Sequence, residues 1–371
     1  MADLRLQRAP EFGGAMVEEK EERKDTRDPS RARMSRDLRL DAIKGVAIAM
    51  VVLGHALYGG LGPDAANNPV TQVIESFNMP LFMFLSGWVL WRPGRDGLGA
   101  PGFVAKRARR LLVPYFVWLV PYYVVYRQQI GVRPLDFFLG AVIDPNGFGK
   151  LWFLYVLFVG SVLLFALRRV FADDSLMAAG CILVWCVTGI GFFGGLSGFG
   201  ILNLQWLFPF LALGYFASRM QARAPTERMR IVMSAVTPAC YVFLMAIAGT
   251  DAMRGSLVAP LSAMSPIAAR AFARLLRYAV AFGGIAGVFV MAGWLTGHAR
   301  RILALVGEAS LGIYVMHGLF SGLAMGTGWA RVASMMAVTF GLGLLSTHVL
   351  RVRPVLRRLS LGEDSAKSAA A

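Results

Sequence analysis

The chain has 371 residues, of which 56% are hydrophobic and 16% are charged, and lysine and arginine outnumber aspartate and glutamate by 38 to 22. Soluble domains are about a quarter charged, so this composition excludes a soluble globule, a disulfide scaffold and a disordered tail protein. A net charge of +16 can indicate nucleic-acid binding. In so apolar a chain, however, it indicates basic cytoplasmic loops of a polytopic membrane protein, and we expect no nucleic-acid partner.

Residues 1–40 differ in composition from the rest of the chain. They contain ten basic and nine acidic residues and almost no aromatic ones. This profile predicts a solvated, disordered arm on the cytoplasmic side. The arm has no short apolar stretch with a small-residue cleavage site, so we expect no signal peptide.

Residues 41–352 alternate long apolar runs with short polar loops. Each run has about 17–24 residues, which suffices to cross roughly 30 Å of hydrocarbon as a helix. The pattern predicts an all-α polytopic membrane domain with about ten transmembrane helices. The predicted spans are 41–59, 70–91, 111–127, 151–168, 176–194, 199–217, 230–249, 275–296, 302–325 and 330–350.

The basic residues give an independent test of this topology. If both termini are cytoplasmic, 29 of the 38 lysines and arginines fall on cytoplasmic segments and eight on outer ones. Cytoplasmic loops are enriched in such residues, so the split supports an even number of spans with both ends inside. It leaves residues 353–371 as a cytoplasmic tail, and we expect a multi-pass protein of the cytoplasmic membrane.

Ionisable side chains inside a span are candidates for function because they are costly to bury in lipid. His55 follows Asp41 by 14 residues, or about 21 Å along a helix, which places it about one turn from the outer end of the first span. It is either a general base or a packed histidine. Glu75 in the second span lies at a similar depth. It either orients the His55 ring or faces a water-filled vestibule.

A basic cluster begins the third span at the predicted cytoplasmic face. Lys106, Arg107 and Arg110 fit topology alone, but arginine forks also bind phosphate bidentately. Trp152 begins the fourth span, where it is either part of an aromatic belt or a platform for a sugar. His317 in the ninth span has either a packing role or a site role. The three cysteines lie in apolar runs and, like the rest of the sequence, show no metal-ligand spacing, so we expect no metal.

Five segments carry a resemblance when they are taken in order along the chain. They are Asp41-x-x-Lys44-Gly45 followed by Gly54-His55, Met79-Pro80 through Ser86-Gly87, Lys106-Arg107-x-x-Arg110 through Pro114-Tyr115, Leu151-Trp152-Phe153-Leu154, and Ser310 through Tyr314-x-x-His317. Together they resemble the acyltransferase-three family of integral membrane O-acyltransferases, in particular its fucose-acetylase-like and polysaccharide-acetylase branch. The resemblance covers residues from about 36 to 355.

The resemblance implies ten helices and an O-acyltransferase that moves an acyl group, usually acetyl, from cytoplasmic acyl-CoA to a hydroxyl of a sugar, glycan or glycolipid. It implies that His55 is catalytic and that Arg107 and Arg110, with Lys106 beside them, contact acetyl-CoA as the acyl donor. Membrane lipids are the other expected partners.

Two positions depart from the family pattern. Asn78 stands where related sequences often have histidine, and we assign it, with Trp152, to substrate binding. Many relatives have a glutamate two residues before a proline in the last span, but this chain has Val352 there. If that glutamate partners the catalytic histidine elsewhere, Glu75 has to replace it here.

Two other classes of protein share some of these features. A transporter or flippase for lipid-linked sugars or glycans has a similar number of helices and buried polar residues. The chain shows no internal repeat of the kind many transporters have, which weighs against this reading. In a membrane scaffold without catalytic activity, His55 and Glu75 would be structural residues. Burying such ionisable side chains in a span costs free energy, and the sequence shows nothing that offsets it.

Overall fold

The computed structural model describes residues 38–90, 99–145, 150–193, 198–220 and 227–363. Within these ranges the chain forms 14 α-helices and no strand, which confirms the all-α class. Most of the predicted arm, residues 1–37, lies outside the described ranges, and residues 38–40 already belong to the first helix. The predicted tail contributes one further helix.

The helices follow one another with short connections. They are α1 (Leu38–Leu61), α2 (Pro69–Leu90), α3 (Ala100–Ile130), α4 (Pro134–Ile143), α5 (Trp152–Val170), α6 (Asp174–Phe193), α7 (Ile201–Met220), α8 (Glu227–Ala248), α9 (Asp251–Met264), α10 (Pro266–Trp294), α11 (Gly297–Glu308), α12 (Ser310–Phe320), α13 (Gly328–Val352) and α14 (Pro354–Leu361). Short 3-10 turns occupy Gly62–Asn67, Gly198–Gly200 and Ser321–Leu323.

The described helices support a polytopic membrane protein. Six of them are long and apolar enough to cross a bilayer, and two bent pairs bring the number to as many as eight. The bent pairs are α8 with α9, at 69°, and α11 with α12, at 73°. The predicted spans 111–127 and 176–194 fall on α3 and α6. The count of ten and the cytoplasmic placement of the termini stay predictions.

Large apolar side chains project from the outer faces of these helices. Val124 on α3 is 60% exposed, Leu183 on α6 is 63% exposed and Val242 on α8 is 65% exposed. A water-soluble protein rarely exposes so many large apolar groups together. Such a surface is typical of helices that face lipid.

Glycines bring the backbones of α1 and α11 into direct contact. A Cβ atom added at Gly45 would overlap the carbonyl group of Leu303, and one added at Gly307 would overlap the carbonyl group of Asp41. Both positions therefore have to lack a side chain. Between helices in lipid, close van der Waals contact of this kind replaces the hydrophobic effect as the force for association.

The same device joins α2 to α7. A Cβ atom at Gly87 would overlap the carbonyl group of Leu211, and one at Gly214 would overlap the carbonyl group of Phe84. The glycines are thus reciprocal, each one receiving the backbone of the partner helix. Two helix pairs of the bundle are fixed in this way.

Contacts at the helix ends show which ends lie together. Gly307 at the end of α11 lies against Asp41 at the start of α1. Arg351 at the end of α13 bonds to the Glu308 backbone carbonyl at 3.0 Å. Gly362, just after α14, packs against the Arg110 backbone of α3. We call this region the arginine end of the bundle, and it is the end predicted to be cytoplasmic.

We expect alanine at Gly45 or Gly214 to destabilise the protein, because even a methyl group meets backbone atoms that cannot rotate away. Overpacking of this kind costs about 1–3 kcal/mol per site. The measurement is the midpoint of thermal unfolding of the purified protein in detergent, with monodispersity followed by size-exclusion chromatography. Gly341→Ala is the matched control, because an added Cβ there has nothing within 4 Å. Equal midpoints for all three variants would contradict the packing argument.

Candidate functional site

Two histidines from distant parts of the chain lie side by side inside the bundle. The rings of His55 on α1 and His317 on α12 have centroids 4.8 Å apart and planes inclined by 30°. His317 is 2% exposed. Within the described ranges, no three His, Cys, Asp or Glu side chains are grouped as metal ligands would be, and the expected absence of a metal stays a prediction.

The hydrogen bonding of His317 fixes which of its nitrogens holds the proton. Its Nδ1 lies 2.5 Å from the backbone carbonyl oxygen of Tyr314. A carbonyl oxygen only accepts, so Nδ1 carries the hydrogen and Nε2 of the neutral ring keeps a lone pair. That Nε2 is buried and has no hydrogen-bond partner in the part of the chain that the structure describes. The ring therefore presents a free base beside His55.

Lys150 places a cation close to the two imidazoles. Its Cδ atom lies 3.0 Å from the point where a Cβ of Gly318 would stand, so its side chain runs alongside α12. Its charge acts electrostatically on both His55 and His317. Burial lowers the pKa of the Lys150 ammonium group. A cation in such a position can stabilise an anion that forms between the rings.

Three tyrosine hydroxyls hold this arrangement in place. Tyr122 on α3 accepts a hydrogen bond from the Gly318 N–H at 3.1 Å, and Tyr126 donates one to the Gly318 carbonyl at 2.5 Å. Tyr314 donates to the backbone carbonyl of Lys150 at 2.8 Å. The first two bonds tie α12 to α3 through both backbone groups of Gly318, and the third fixes the backbone of Lys150.

Glu75 has a different neighbour from the one its depth predicts. It is an exposed residue of α2, and its carboxylate acts electrostatically on the Tyr58 hydroxyl. Tyr58 follows His55 by three residues, so the carboxylate lies about one turn further along α1. Among the described residues, no hydrogen bond or ion pair joins Glu75 to His55, whereas the ring of His317 lies against that of His55. A catalytic role for Glu75 stays a prediction.

The two residues assigned to substrate lie at different distances from the histidines. Trp152 begins α5, with its ring 6.0 Å from that of Phe153. Phe153 in turn contacts Tyr314, so Trp152 is two ring contacts from the wall of the site. Asn78 on α2 is partly buried, and its Oδ1 accepts a hydrogen bond from the adjacent Met79 N–H at 2.6 Å. Neither assignment is tested by these contacts.

The residues predicted to bind the acyl donor lie at the arginine end, away from the histidines. Lys106 and Arg110 are exposed, and the partly buried Arg107 has its guanidinium carbon 5.5 Å from the centre of the Phe103 ring. Arg110 and Tyr122 are 12 residues apart on α3, or about 18 Å. A single helix therefore connects the basic cluster with the histidine pair, and the donor role of the cluster stays a prediction.

A groove opens on α1 beyond His55, away from the arginine end. It has a volume of about 520 Å³, and its lining combines the exposed Trp329 ring with carboxylate and amide groups. The lining residues are Gly60, Leu61, Asp64, Asn67, Asn68, Pro69, Gly328 and Trp329. Gly60 follows His55 by five residues, or about 8 Å, on α1. An aromatic face next to hydrogen-bonding groups suits a ligand with both ring faces and hydroxyls.

Sequence reasoning included His317 in a motif but gave it no partner, and it did not single out Lys150 or Tyr122. The one local signal for Lys150 is its position directly before the Leu151-Trp152-Phe153-Leu154 segment. Tyr122 carries no local signal, because its role depends on the contact between α3 and α12.

Comparisons with known proteins agree with the motif pattern. The model of a family described as an acyltransferase domain matches residues 37–349. The nodulation protein NolL of Mesorhizobium japonicum is 29% identical over 140 residues, which cover 35% of each chain. The NolL of Sinorhizobium fredii is 26% identical over 226 residues, which cover 57% of each chain. The chain thus spans about a third to just over half of the length of these relatives. No solved structure matches the chain.

Proposed function

Because the chain belongs to the acyltransferase-three family, whose model covers most of its length, we propose that it is a membrane O-acyltransferase. The acyl donor in this proposal is acyl-CoA, with acetyl as the default group. The acceptor is a hydroxyl of a sugar, glycan or glycolipid. The membrane in which the protein works is the cytoplasmic membrane, with both termini on the cytoplasmic side.

The pairing of His55 with His317 is the observation that carries this proposal. Acyl transfer to a hydroxyl needs a base to remove the hydroxyl proton, and a neutral imidazole does so near pH 7. His317 supplies a lone pair at Nε2 with its tautomer fixed by the Tyr314 carbonyl. In this mechanism one nitrogen of His55 donates its hydrogen to that lone pair, which leaves the other His55 nitrogen free to act as the base.

The bond changes then follow from these positions. His55 takes the proton of the acceptor hydroxyl as the oxygen attacks the thioester carbonyl carbon. A tetrahedral oxyanion forms, the carbon–sulfur bond breaks, and the departing CoA thiolate takes the proton back from His55. In this direct route His317 supports the protonated state of His55. Alternatively, His55 attacks the thioester itself to form an acyl-imidazole, and its N–H proton passes through His317 to the departing CoA thiolate. The acceptor hydroxyl then attacks the acyl carbon, and its proton passes through His317 to the departing imidazole of His55.

Lys150 is the candidate for stabilising the oxyanion. Its ammonium group is close enough to both rings for its charge to act on them. A preorganised cation in a site sheltered from water stabilises developing negative charge more than water does, because the surroundings do not have to reorganise. Tyr314 contributes indirectly, since its hydroxyl holds the Lys150 carbonyl.

The two ends of the bundle offer places for the two substrates. At the arginine end, Arg107 and Arg110 suit the phosphates of CoA, from which the pantetheine arm would extend along α3 to the histidine pair. At the opposite end, the groove beside Trp329 suits a sugar ring, which can stack on the indole and bond to the groups of Asp64 and Asn67.

We expect His55→Ala to reduce acyl transfer by about 100-fold or more, because it removes the general base. His317→Ala should cause a smaller loss, since the base remains but its tautomer is no longer fixed. The measurement is the acetyl mass difference on surface glycans and glycolipids of cells that lack the gene and carry each variant. His298→Ala, an exposed histidine outside the pair, is the control and should keep full activity.

Full activity of a correctly inserted His55→Ala protein would exclude the assignment of the base. The purified protein also separates the enzyme from a transporter or flippase of lipid-linked sugars. A transporter should neither hydrolyse acetyl-CoA nor transfer its acetyl group.

The lowered pKa of Lys150 gives a prediction for the dependence of activity on pH. Activity that needs the ammonium cation is complete below this pKa and is lost as the pH rises through it. In Lys150→Arg the cation persists to a higher pH, because a guanidinium hardly deprotonates, so the alkaline limb of the kcat profile should move upward. Lys150→Met should reduce kcat by about 100-fold at pH values below this pKa, where the wild type carries the cation. An unchanged alkaline limb in the arginine variant would show that Lys150 does not act as a cation in the reaction.

We expect Arg107→Ala and Arg110→Ala to raise the KM for acetyl-CoA by about tenfold with little change in kcat, because the phosphates are bound equally in the ground and transition states. Membrane vesicles with the cytoplasmic face outward and labelled acetyl-CoA provide the measurement. Arg109→Ala, a neighbouring exposed arginine, is the control. A KM that does not change would return the cluster to a purely topological role.

A further inference from the structure

The short helix α14 buries an arginine. α14 follows α13 after Arg353 and packs against α3, α12 and α13. Its inward residues are Arg357, Ser360 and Leu361, whereas Arg353 is exposed. The tail region thus folds onto the bundle and turns one cation inward.

Among the residues that the structure describes, none balances the charge of Arg357. The residue is 9% exposed, and its Nε has no hydrogen-bond partner in the described part of the chain. Within the same ranges, no ion pair involves Arg357. A guanidinium that is largely withdrawn from solvent and has an unpaired Nε is unfavourable, so native proteins usually pair such groups or use them to bind ligands.

The nearby carboxylates are already engaged with another arginine. Glu363, two residues beyond α14, pairs with Arg351 at 2.8 Å, and Glu308 approaches Arg351 at 3.6 Å. Arg351 therefore takes both carboxylates at this corner of the arginine end. Arg357 adds a positive charge that these groups do not neutralise.

The position of α14 relates this charge to the basic cluster on α3. The Trp118 indole N–H donates to the Ser360 carbonyl at 2.9 Å. A Cβ added at Gly362 would fall 2.6 Å from the backbone of Arg110. The C-terminal half of α14 and the residue after it thus lie along α3 between Arg110 and Trp118, which brings the end of α14 that carries Arg357 next to Arg110.

We propose that Arg357, together with Arg110, forms a binding site for a phosphate group at the junction of α14 and α3. Two guanidinium forks from different helices can bind the oxygens of one phosphate or diphosphate bidentately. The inference that a phosphate group binds here depends only on the burial of Arg357. Its assignment to the phosphates of CoA rests on the proposed function, and the headgroup of an anionic lipid is the other source of the same chemistry.

The test uses the full-length protein purified in a neutral detergent without phospholipid. We compare the wild type with Arg357→Met, which removes the charge but keeps a long apolar side chain, and with Arg353→Gln, which removes an exposed charge from the same part of the chain. The measurements are the unfolding midpoint with and without CoA, 3′,5′-ADP or inorganic pyrophosphate, and the Kd of CoA by calorimetry.

We expect Arg357→Met to unfold at the same temperature as the wild type or at a higher one when no phosphate compound is present, because it removes an unbalanced buried charge. We also expect it to lose the stabilisation by phosphate compounds and to bind CoA at least tenfold more weakly, while Arg353→Gln behaves as the wild type. A lower midpoint of Arg357→Met without ligand, together with unchanged CoA binding, would show a structural arginine and overturn the proposal.

Nanodiscs of phosphatidylcholine with and without phosphatidylglycerol distinguish the two sources of phosphate. Stabilisation by phosphatidylglycerol alone, lost in Arg357→Met, supports the site with a lipid headgroup as its ligand. The acetyl-transfer assay separates this inference from the proposed function. Phosphate binding that depends on Arg357 without any acetyl transfer supports the site and refutes the function, whereas normal transfer and phosphate binding in Arg357→Met refute the site alone.

Discussion

The direct contact of helix backbones at glycines is the constraint on which the rest of this structure depends. Gly45 and Gly307 set the position of α11 on α1, because neither helix can move closer or slide without a collision of carbonyl groups. α12 follows α11 through a 73° bend. The position of His317 relative to His55 is therefore inherited from a glycine contact at the other end of α1.

The second support of the site is α3. Arg110, in its third turn, lies against Gly362 at the end of α14, and Tyr122, about 18 Å further on, binds the backbone next to His317. One continuous helix thus sets the distance between the basic cluster and the imidazoles. A donor with its charge at one end and its thioester at the other matches this layout, which is why the proposed function places CoA along α3.

The charge of +16 has more than one physical role in this protein. Most of the basic residues fit the orientation of the chain in a membrane. Lys150 and Arg357 do not belong to that group, because each is withdrawn from solvent. A buried charge is costly unless it has a partner, so each of these residues indicates a nearby anion. The proposed anions are the oxyanion of the reaction at Lys150 and a phosphate group at Arg357.

The sequence by itself determined the all-α class, the apolar helices, the family pattern, and His55 and Arg110 as candidates. Runs of apolar residues and short motifs are local, so they can be read without a fold. Counting residues along each span placed Glu75 and His55 at a similar depth below the outer membrane surface. Depth alone does not fix the direction in which a side chain points. Only the tertiary structure decided that His317 faces His55, that Lys150 lies beside them and that Arg357 turns inward. These residues come from different helices and meet only through packing of the bundle, which leaves no signal in the neighbouring sequence.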